Sequence, residues 1–416
     1  MKYFNLGARY FTDVMNTTEN VSAEMTTLFH KRLIMLANPQ LRYGALASKF
    51  NVPMNSGKTV NVRIPAKATA NLAKLTEGQD PDGAALSIGY REAHLGLYGN
   101  VIKLSSFFES TAFDDVFKIA FDNMAAQAGI TIDTVDRNAA MEGSQAIYAS
   151  TWSGSTPSTV TSRIGIDDTA VFTFDLAFKA AALLAAEDAP KFDGYYAAVI
   201  HPLVKYDLQV NQHLSFNDVV KYTTPDKIFK GEIGELGGIR FLESSIAKVY
   251  KGDKIAGADN LTINATVTAV TTFAVKETVS EAQAAALEGR KLLIGTTVYE
   301  VASATDGSAG TATITVKTSI SANENTVVYP GEGGKNNAAV FATLVCGKDA
   351  YMSSQLEGEG NPFKMITKTD SQTGSLLNMY SSVGWRAVHA ATVAWDKYMV
   401  RIESGCSLGS TIKAAN

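Results

Sequence analysis

The sequence predicts an α+β fold (mixed α/β), and three observations lead to this class. Apolar residues recur at helical spacing after Ser110-Thr111, short strand-like runs lie on both sides of that stretch, and residues 253–330 alternate apolar with polar side chains. The chain has 416 residues, enough for two or three domains that each bury a core. A multidomain protein is therefore expected, neither a pure helix bundle nor a pure barrel.

The first hundred residues are predicted to contain an N-terminal arm, a strand and a long extended segment that leaves the body of the domain. Residues 20–36 have a loose helical spacing, and residues 60–64 alternate apolar with polar until Pro65 ends the run. Residues 66–100 are rich in glycine and contain the turn signal Gln-Asp-Pro-Asp-Gly. Because strand-like runs at 60–64 and 101–104 flank it, this excursion is predicted as a projecting β-hairpin that needs a partner surface elsewhere.

The strongest helix is predicted after Ser110-Thr111, where apolar residues recur every three or four positions as far as Ala139. Asp114 and Asp115 in its first turn complement the helix dipole. Its expected length is about 30 residues, or some 45 Å. Other helices are predicted at 175–187 and 202–212, and other strands at 195–200, 236–243 and 340–346.

A β-rich unit is predicted between residues 253 and 330, inserted into a host domain. The runs 261–270, 292–301 and 311–317 have strand patterns, and Ser280 with Gln283 makes a capping box for one short helix. The glycine-rich flanks, at 251–253 and 330–334, indicate hinge-like junctions.

Composition argues against several classes of function. Charged residues make up 19% of the chain, below the fraction of about 25% that is typical of globular proteins. The net charge of -4 does not provide the positive surface that binds the phosphate backbone of nucleic acids. Five histidines and two cysteines are too few and too scattered for a zinc cluster or a disulfide framework. The opening residues lack the apolar core of a secretory signal and no long apolar window follows, so a soluble intracellular protein is expected.

Enzymatic motifs are incomplete in this sequence. Ser56-Gly-Lys-Thr59 ends like a phosphate-binding loop, but Val52 stands where the first glycine belongs and a strand follows. His201, with Asp207 nearby, is conceivable as a general base, but no Ser or Cys nucleophile motif accompanies it. We therefore predict no catalytic, cofactor-binding or metal-binding residues.

A series of short motifs runs colinearly through the chain. They are Ser56-Gly-Lys-Thr-Val-Asn-Val-Arg-Ile-Pro65, Leu75-Thr-Glu-Gly78, Asp80-Pro-Asp-Gly83, Leu97-Tyr-Gly-Asn100, Tyr195-Tyr-Ala-Ala-Val-Ile-His-Pro202, Ile228-Phe-Lys-Gly-Glu-Ile-Gly234, Leu236-Gly-Gly-Ile-Arg-Phe-Leu-Glu243, Val340-Phe-Ala-Thr-Leu-Val345, Gly347-Lys-Asp-Ala-Tyr351, Val383-Gly-Trp385 and Arg401-Ile-Glu-Ser404. In order and spacing, over residues 55–245 and 338–404, they resemble the tailed-phage major capsid proteins of the coliphage N-four type, which have the Hong Kong 97-like capsid fold.

The resemblance implies a structural protein and not an enzyme. Such a subunit self-assembles as pentamers and hexamers into the icosahedral shell that encloses a double-stranded DNA genome. The implied domains are an N-terminal arm with a short helix (1–55), a strand with an extended loop (56–110, loop 66–100), a peripheral domain with a long spine helix (111–165), an axial domain (166–252), a β-rich insertion domain (253–332) and a return to the axial and peripheral domains (333–416).

The extended loop is implied to lie over a neighbouring subunit. Intersubunit contacts are expected from Lys74, Leu75, Glu77, Asp80, Asp82 and Arg91. The implied partners are other copies of the chain, scaffolding and portal proteins, a decoration protein and DNA held without specificity, with no membrane. The implied location is the virion, after assembly in the host cytoplasm. Two alternatives stay open: a tail or adhesion component of a phage, and a hydrolase with a β-rich accessory domain.

Overall fold

A computed structural model gives the fold, and it describes residues 42–52, 57–65, 72, 74, 77–78, 88–111, 116–153, 156–210, 232–255, 257–307, 311–356, 363–368, 379–412 and 415–416. The chain divides into two compact units. Unit 1 comprises Met1–Ala45, Lys49–Asp136 and Ser353–Ala391, and unit 2 comprises Leu46–Ser48, Arg137–Met352 and Thr392–Asn416.

Both helices and strands are distributed along the chain. The α-helices of the described residues are α1 (Tyr43–Leu46), α2 (Ser106–Thr111), α3 (Val116–Ala140), α4 (Phe174–Ala186), α5 (Pro202–Val210) and α6 (Glu281–Leu287). The strands are β1 (Ser48–Val52), β2 (Thr59–Pro65), β3 (Ile88–His94), β4 (Gly96–Ser105), β5 (Ala146–Tyr148), β6 (Thr151–Ser153), β7 (Thr156–Ser158), β8 (Tyr196–Ile200), β9 (Glu232–Leu236), β10 (Ile239–Glu243), β11 (Val249–Tyr250), β12 (Leu261–Thr262), β13 (Val267–Val275), β14 (Lys291–Ile294), β15 (Thr297–Thr305), β16 (Ala312–Ala322), β17 (Val327–Pro330), β18 (Val340–Cys346), β19 (Tyr351–Leu356), β20 (Phe363–Lys368), β21 (Tyr380–His389), β22 (Ala391–Val393) and β23 (Met399–Ser404).

Unit 1 is built on the long helix α3 and the antiparallel sheet β20–β21–β4. Phe121, Met124 and Ala128 of the helix form a buried cluster with Val383 and Trp385 of β21. The three helix residues follow the three- and four-residue spacing that predicts one apolar face. The predicted long helix is therefore confirmed, with one face lying on the sheet.

The predicted start of that helix, directly after Thr111, lies outside the described residues. Ser110 and Thr111 are the last two residues of helix α2, and their hydroxyl groups donate to the carbonyl oxygen of Phe107 at 2.9 and 2.7 Å. Hydroxyls of this kind bond to the preceding turn when they lie inside a helix, so they are not available as caps for the next one. Asp114 and Asp115, the predicted first-turn acids, lie outside the described residues.

Unit 2 contains a mixed sheet in the order β5–β23–β18–β8–β10–β9. The pairs β8–β10 and β23–β5 are parallel, while β18 runs antiparallel to both of its long neighbours, β8 and β23. Strands β8 and β18 are buried along their whole length. Burial on both faces explains why these two predicted strands are almost entirely apolar in the sequence, with Thr343 the exception.

The single strand predicted at 236–243 is instead a hairpin of β9 and β10. Gly237 and Gly238 between the two strands have φ angles of 59° and 77°. Two successive residues in the left-handed region form the tight turn that matches the twist of a hairpin, and glycine takes that conformation without strain.

The segment predicted as β-rich forms a closed sheet in the order β12–β17–β14–β15–β16–β13. The two end strands meet, because Asn264 N donates to Ala274 O and Lys276 N donates to Thr262 O, both at 2.9 Å. The single strand predicted at 261–270 is therefore wrong, since the chain turns back on itself between β12 and β13. The capping box of Ser280 and Gln283 at the start of α6 is confirmed. A closed sheet leaves no unpaired edge, so we call this element the barrel.

The junctions of the barrel with the rest of unit 2 are hydrogen-bonded, unlike the hinges that the glycine-rich flanks indicate. Gly252 N donates to Asn337 Oδ1 at 2.7 Å, and Asn337 Nδ2 donates back to Gly252 O at 3.0 Å. Arg290 donates to the carbonyl oxygens of Asp253 and Lys254. We refer to Gly252, Asn337 and Arg290 with these partners as the neck.

Candidate functional site

The hairpin β2–β3 is the first candidate surface for assembly. Its register runs from Thr59 opposite His94 to Pro65 opposite Ile88, and no third strand of the described residues pairs with it. Tyr90 is 61% exposed on this ribbon and Leu72, beyond its strands, is 91% exposed. A two-stranded ribbon is marginally stable alone and presents unpaired backbone groups, so its exposed side is suited to a partner.

The strand that completes this hairpin differs from the predicted one. Residues 101–104 lie in β4 and pair with β21, whereas β2 pairs with β3. β3 is exposed at every position except Ala93. A strand exposed on this scale carries no apolar alternation, and this is why the sequence does not reveal it.

The structure places only some of the six predicted contact residues. Arg91 lies in β3 opposite Val62 and is exposed. Lys74 and Glu77 are exposed beyond the ends of the two strands. The other three predicted contacts, Leu75, Asp80 and Asp82, lie outside the described residues.

A second exposed surface of unit 1 is the face of the sheet β20–β21–β4 that points away from α3. Because Val383 and Trp385 contact the helix, their neighbours in β21 point the opposite way, and so do the β4 and β20 residues paired with those neighbours. Leu97, Val101 and Ile366 on this side are 72%, 54% and 40% exposed. An uncovered apolar strip of this kind on a sheet is suited to contact with another surface.

Positive charge surrounds the apolar strip. Lys103, Lys368 and Arg386 are exposed on the same side of the sheet, and its described residues include no Asp or Glu. Lys103 and Lys368 line a groove of about 290 Å³, together with Gly384 and Tyr380. We call the six residues Leu97, Val101, Lys103, Ile366, Lys368 and Arg386 the basic face. Its charge favours an acidic partner.

The one residue considered as a general base has a structural role. His201 packs against Phe341 with ring centroids 5.0 Å apart, and its Nδ1 accepts from Leu203 N at 3.2 Å. Burial lowers the pKa of His201 to about 4, with Glu243 opposing this effect. Asp207 accepts from the backbone N–H and the hydroxyl of Ser407. The imidazole is therefore neutral and is used as a backbone acceptor at the start of α5.

The described residues contain neither a metal-binding cluster nor a membrane-spanning helix. No group of three or more His, Cys, Asp or Glu side chains there is arranged to hold a metal ion. Among the helices in the same residues, none is both long enough and apolar enough to cross a membrane.

Neither a protein-family model nor a curated protein matches the sequence. Among solved structures, the capsid of Ralstonia phage GP4 matches with a TM-score of 0.51 at 11% identity, over 88% of this chain and 92% of that chain. The chain has the fold of a phage capsid protein. The mixed α+β fold of the Hong Kong 97 type, which the sequence predicts, is thus confirmed.

Two other capsid structures match at lower TM-scores. The capsid of cyanophage P-SCSP1u has a TM-score of 0.49 at 13% identity and covers 87% of both chains. The acidic stable capsid of Helicobacter pylori bacteriophage KHP30 has a TM-score of 0.47 at 11% identity, over 88% of this chain and 89% of that chain.

Sequence reasoning did not identify the basic face. Its charged residues come from three strands that are far apart in the chain, and their common orientation depends on the register of β4 and β20 against β21. The local signal is the alternation in β21, where Trp385 and Arg386 point to opposite sides. That signal does not say which residues of other strands join Arg386.

Proposed function

We propose that this chain is the major capsid protein of a tailed double-stranded DNA bacteriophage, which self-assembles as pentamers and hexamers into the icosahedral shell around the genome. The observation that carries the proposal is the fold shared with the Ralstonia phage GP4 capsid over 88% of this chain and 92% of that chain. Membership of the coliphage N-four type rests on the colinear motifs. The role is structural, not catalytic.

In this proposal each part of the chain has a place in the shell. The helix α3 is the spine of a peripheral domain (111–165), residues 166–252 and 333–416 build the axial domain, and the arm (1–55) precedes the extended loop. The barrel, within the insertion 253–332, lies on the shell exterior. Partners are scaffolding and portal proteins, a decoration protein and DNA bound without specificity, and assembly in the host cytoplasm precedes location in the virion.

Contact between copies is made, in this proposal, by the hairpin of one copy on the basic face of the next. The sequence between β2 and β3 has Glu77, Asp80 and Asp82 within six residues, against one cation, Lys74, after the exposed Leu72. The basic face offers three cations around an apolar strip. Opposite charges set the register of such a contact, while buried apolar area supplies its stability.

A charge-reversal experiment tests this contact. Lys103→Glu with Arg386→Glu repels Glu77, Asp80 and Asp82 of the next copy, so purified protein is expected to sediment as free subunits or capsomers in place of shells. Adding Glu77→Lys, Asp80→Lys and Asp82→Lys to the same chain restores attraction and is expected to restore shells. The electrostatic part of the effect weakens as salt rises.

The matched control is Lys291→Glu with Lys348→Glu, which makes the same charge change at two exposed residues of unit 2. It is expected to assemble like the natural chain. The proposed contact would be contradicted if the basic-face variant formed shells. It would also be contradicted if the combined variant did not recover shell formation. Helical tubes would favour the tail-component alternative.

A further inference from the structure

Two carboxyl groups lie fully buried on one face of helix α3. Asp133 and Asp136 each have 0% of their surface exposed. Residues three positions apart in a helix are neighbours on its surface, so the two carboxyl groups share one environment. Aspartate is almost never fully buried unless it is paired.

Asp133 holds the chain segment that enters the fold. Its Oδ1 accepts from the backbone N–H of Gly44 at 2.9 Å, and the N–H groups of Arg42 and Tyr43 also stabilise its charge. These groups stand at the start of α1, so Asp133 acts as a helix cap from 89 residues away in the chain. Residues 42–44 are therefore fastened to α3 through this carboxyl group.

Asp136 fastens the end of strand β21 in the same way. Its Oδ1 lies 2.6 Å from Nε2 of His389, and both side chains are buried. The other charged group near the pair is the ammonium of Lys49, which interacts with both carboxylates and donates to Ser353 Oγ. Burial of the ammonium lowers the pKa of Lys49, and the charges of Asp136 and Asp133 oppose this effect.

The second oxygen of each carboxyl group accepts no hydrogen bond from the described residues. Oδ2 of Asp133 and Oδ2 of Asp136 are buried and have no hydrogen-bond partner among the described residues. Leaving an ionised oxygen buried and unsatisfied costs much more free energy than leaving a neutral carboxyl group there. Two neighbouring carboxylates that share one site do not both stay ionised easily.

We propose that Asp133, buried beside Asp136, binds one proton when residues 42–44 are fastened to α3, and that release of this proton loosens the segment. The proton comes from water and leaves one negative charge to face His389 and Lys49. The pair thus couples the attachment of the entering segment to pH.

The pH range follows from the surroundings of Asp133. Burial, with a smaller effect of Asp136, raises the pKa of Asp133 to about 6, against the opposing effect of the three N–H donors. A carboxyl group whose pKa is raised by folding stabilises the folded state fully below its ordinary pKa, and this stabilisation is lost as pH rises through the raised pKa. The segment should therefore be held more tightly in acid than at neutral pH.

Hydrogen exchange of residues 42–45 in the full chain tests the proposal. After correction for the intrinsic rate, protection in the natural chain is expected to fall by at least about tenfold between pH 4.5 and pH 7. Asp133→Asn keeps an acceptor for Gly44 N without a charge, so the acid level of protection is expected at both pH values. The control Asp175→Asn, at an exposed helical position, is expected to keep the natural pH profile.

Infrared spectroscopy supplies a second readout. At pH 5 the carboxylic-acid band of the natural chain is expected to exceed that of Asp133→Asn by about the intensity of one carboxyl group, the other Asp and Glu side chains contributing equally to both spectra. An unchanged pH profile in that variant, protection that rises with pH, or equal band intensities in the two chains would overturn the proposal. Recovery of protection at pH 7 by millimolar Mg²⁺ would also overturn it, because the pair would then bind a metal ion.

Discussion

At the scale of single residues, the best-satisfied charge in unit 2 is that of Glu403. The side chain is fully buried, yet it accepts from Arg163 Nε at 2.7 Å, from Arg163 Nη2 at 2.6 Å and from Arg401 Nε at 2.7 Å. The guanidinium of Arg163 also stacks on the ring of Tyr250 at 3.4 Å. Bidentate, charge-assisted bonds of this type are the strong ones, so Glu403 ties β23 to the segment before α4.

Truncating Glu403 should be costly for stability. Glu403→Ala leaves two arginines without their shared acceptor, and removal of one partner of a buried ion pair costs about 3 to 5 kcal/mol. The control Glu187→Ala removes an exposed pair with Lys397 and should cost about 1 kcal/mol or less. Denaturant unfolding followed by fluorescence measures both. Equal losses for the two variants would show that the buried network contributes little.

At the scale of elements, the neck decides how the barrel is attached. The paired bonds of Gly252 with Asn337 imitate a backbone pair between the two chain segments that enter and leave the barrel. Arg290 adds bonds from the barrel to residues 253 and 254. The sequence predicts a hinge because glycine is abundant there. The amide of Asn337, which holds Gly252, lies 85 residues further along the chain, so local glycine content does not reveal this contact.

The neck is testable by limited trypsin digestion. Asn337→Ala removes both bonds to Gly252, so faster cleavage is expected at Lys251 and Lys335, which flank the neck. The matched control is Asn325→Ala in the barrel. Asn325 has a φ of 65° and Asn337 a φ of 59°, so both variants carry a similar backbone strain. Identical digestion rates at the neck in the two variants would contradict its role.

At the scale of the whole molecule, an element could be predicted from the sequence when its signal lay within one short segment of the chain. The buried strands β8 and β18 and the capping box at Ser280 could be predicted, because each signal, a nearly continuous apolar run or a three-residue spacing, lies within one segment. Closure of the barrel, the exposed strand β3 and the basic face could not, because each depends on strand register between distant segments. The burial of Asp133 and Asp136 could not be predicted either, because their partners Gly44 and His389 come from distant segments.

The proposed assembly uses weak contacts in large number. The chain has few charges and many small polar side chains, which suits surfaces that are buried against other copies. Symmetric packing repeats each contact in every subunit, so interfaces of modest affinity together stabilise a closed shell. The hairpin and the basic face are the two surfaces of unit 1 on which this account depends.

Electron microscopy of the purified full-length chain under assembly conditions tests the central claim most directly. The account predicts closed icosahedral particles of uniform diameter, with pentamers and hexamers visible in averaged images and the hairpin of each subunit lying over its neighbour. Protein that stays monomeric under every assembly condition, or that forms only helical tubes, would contradict it.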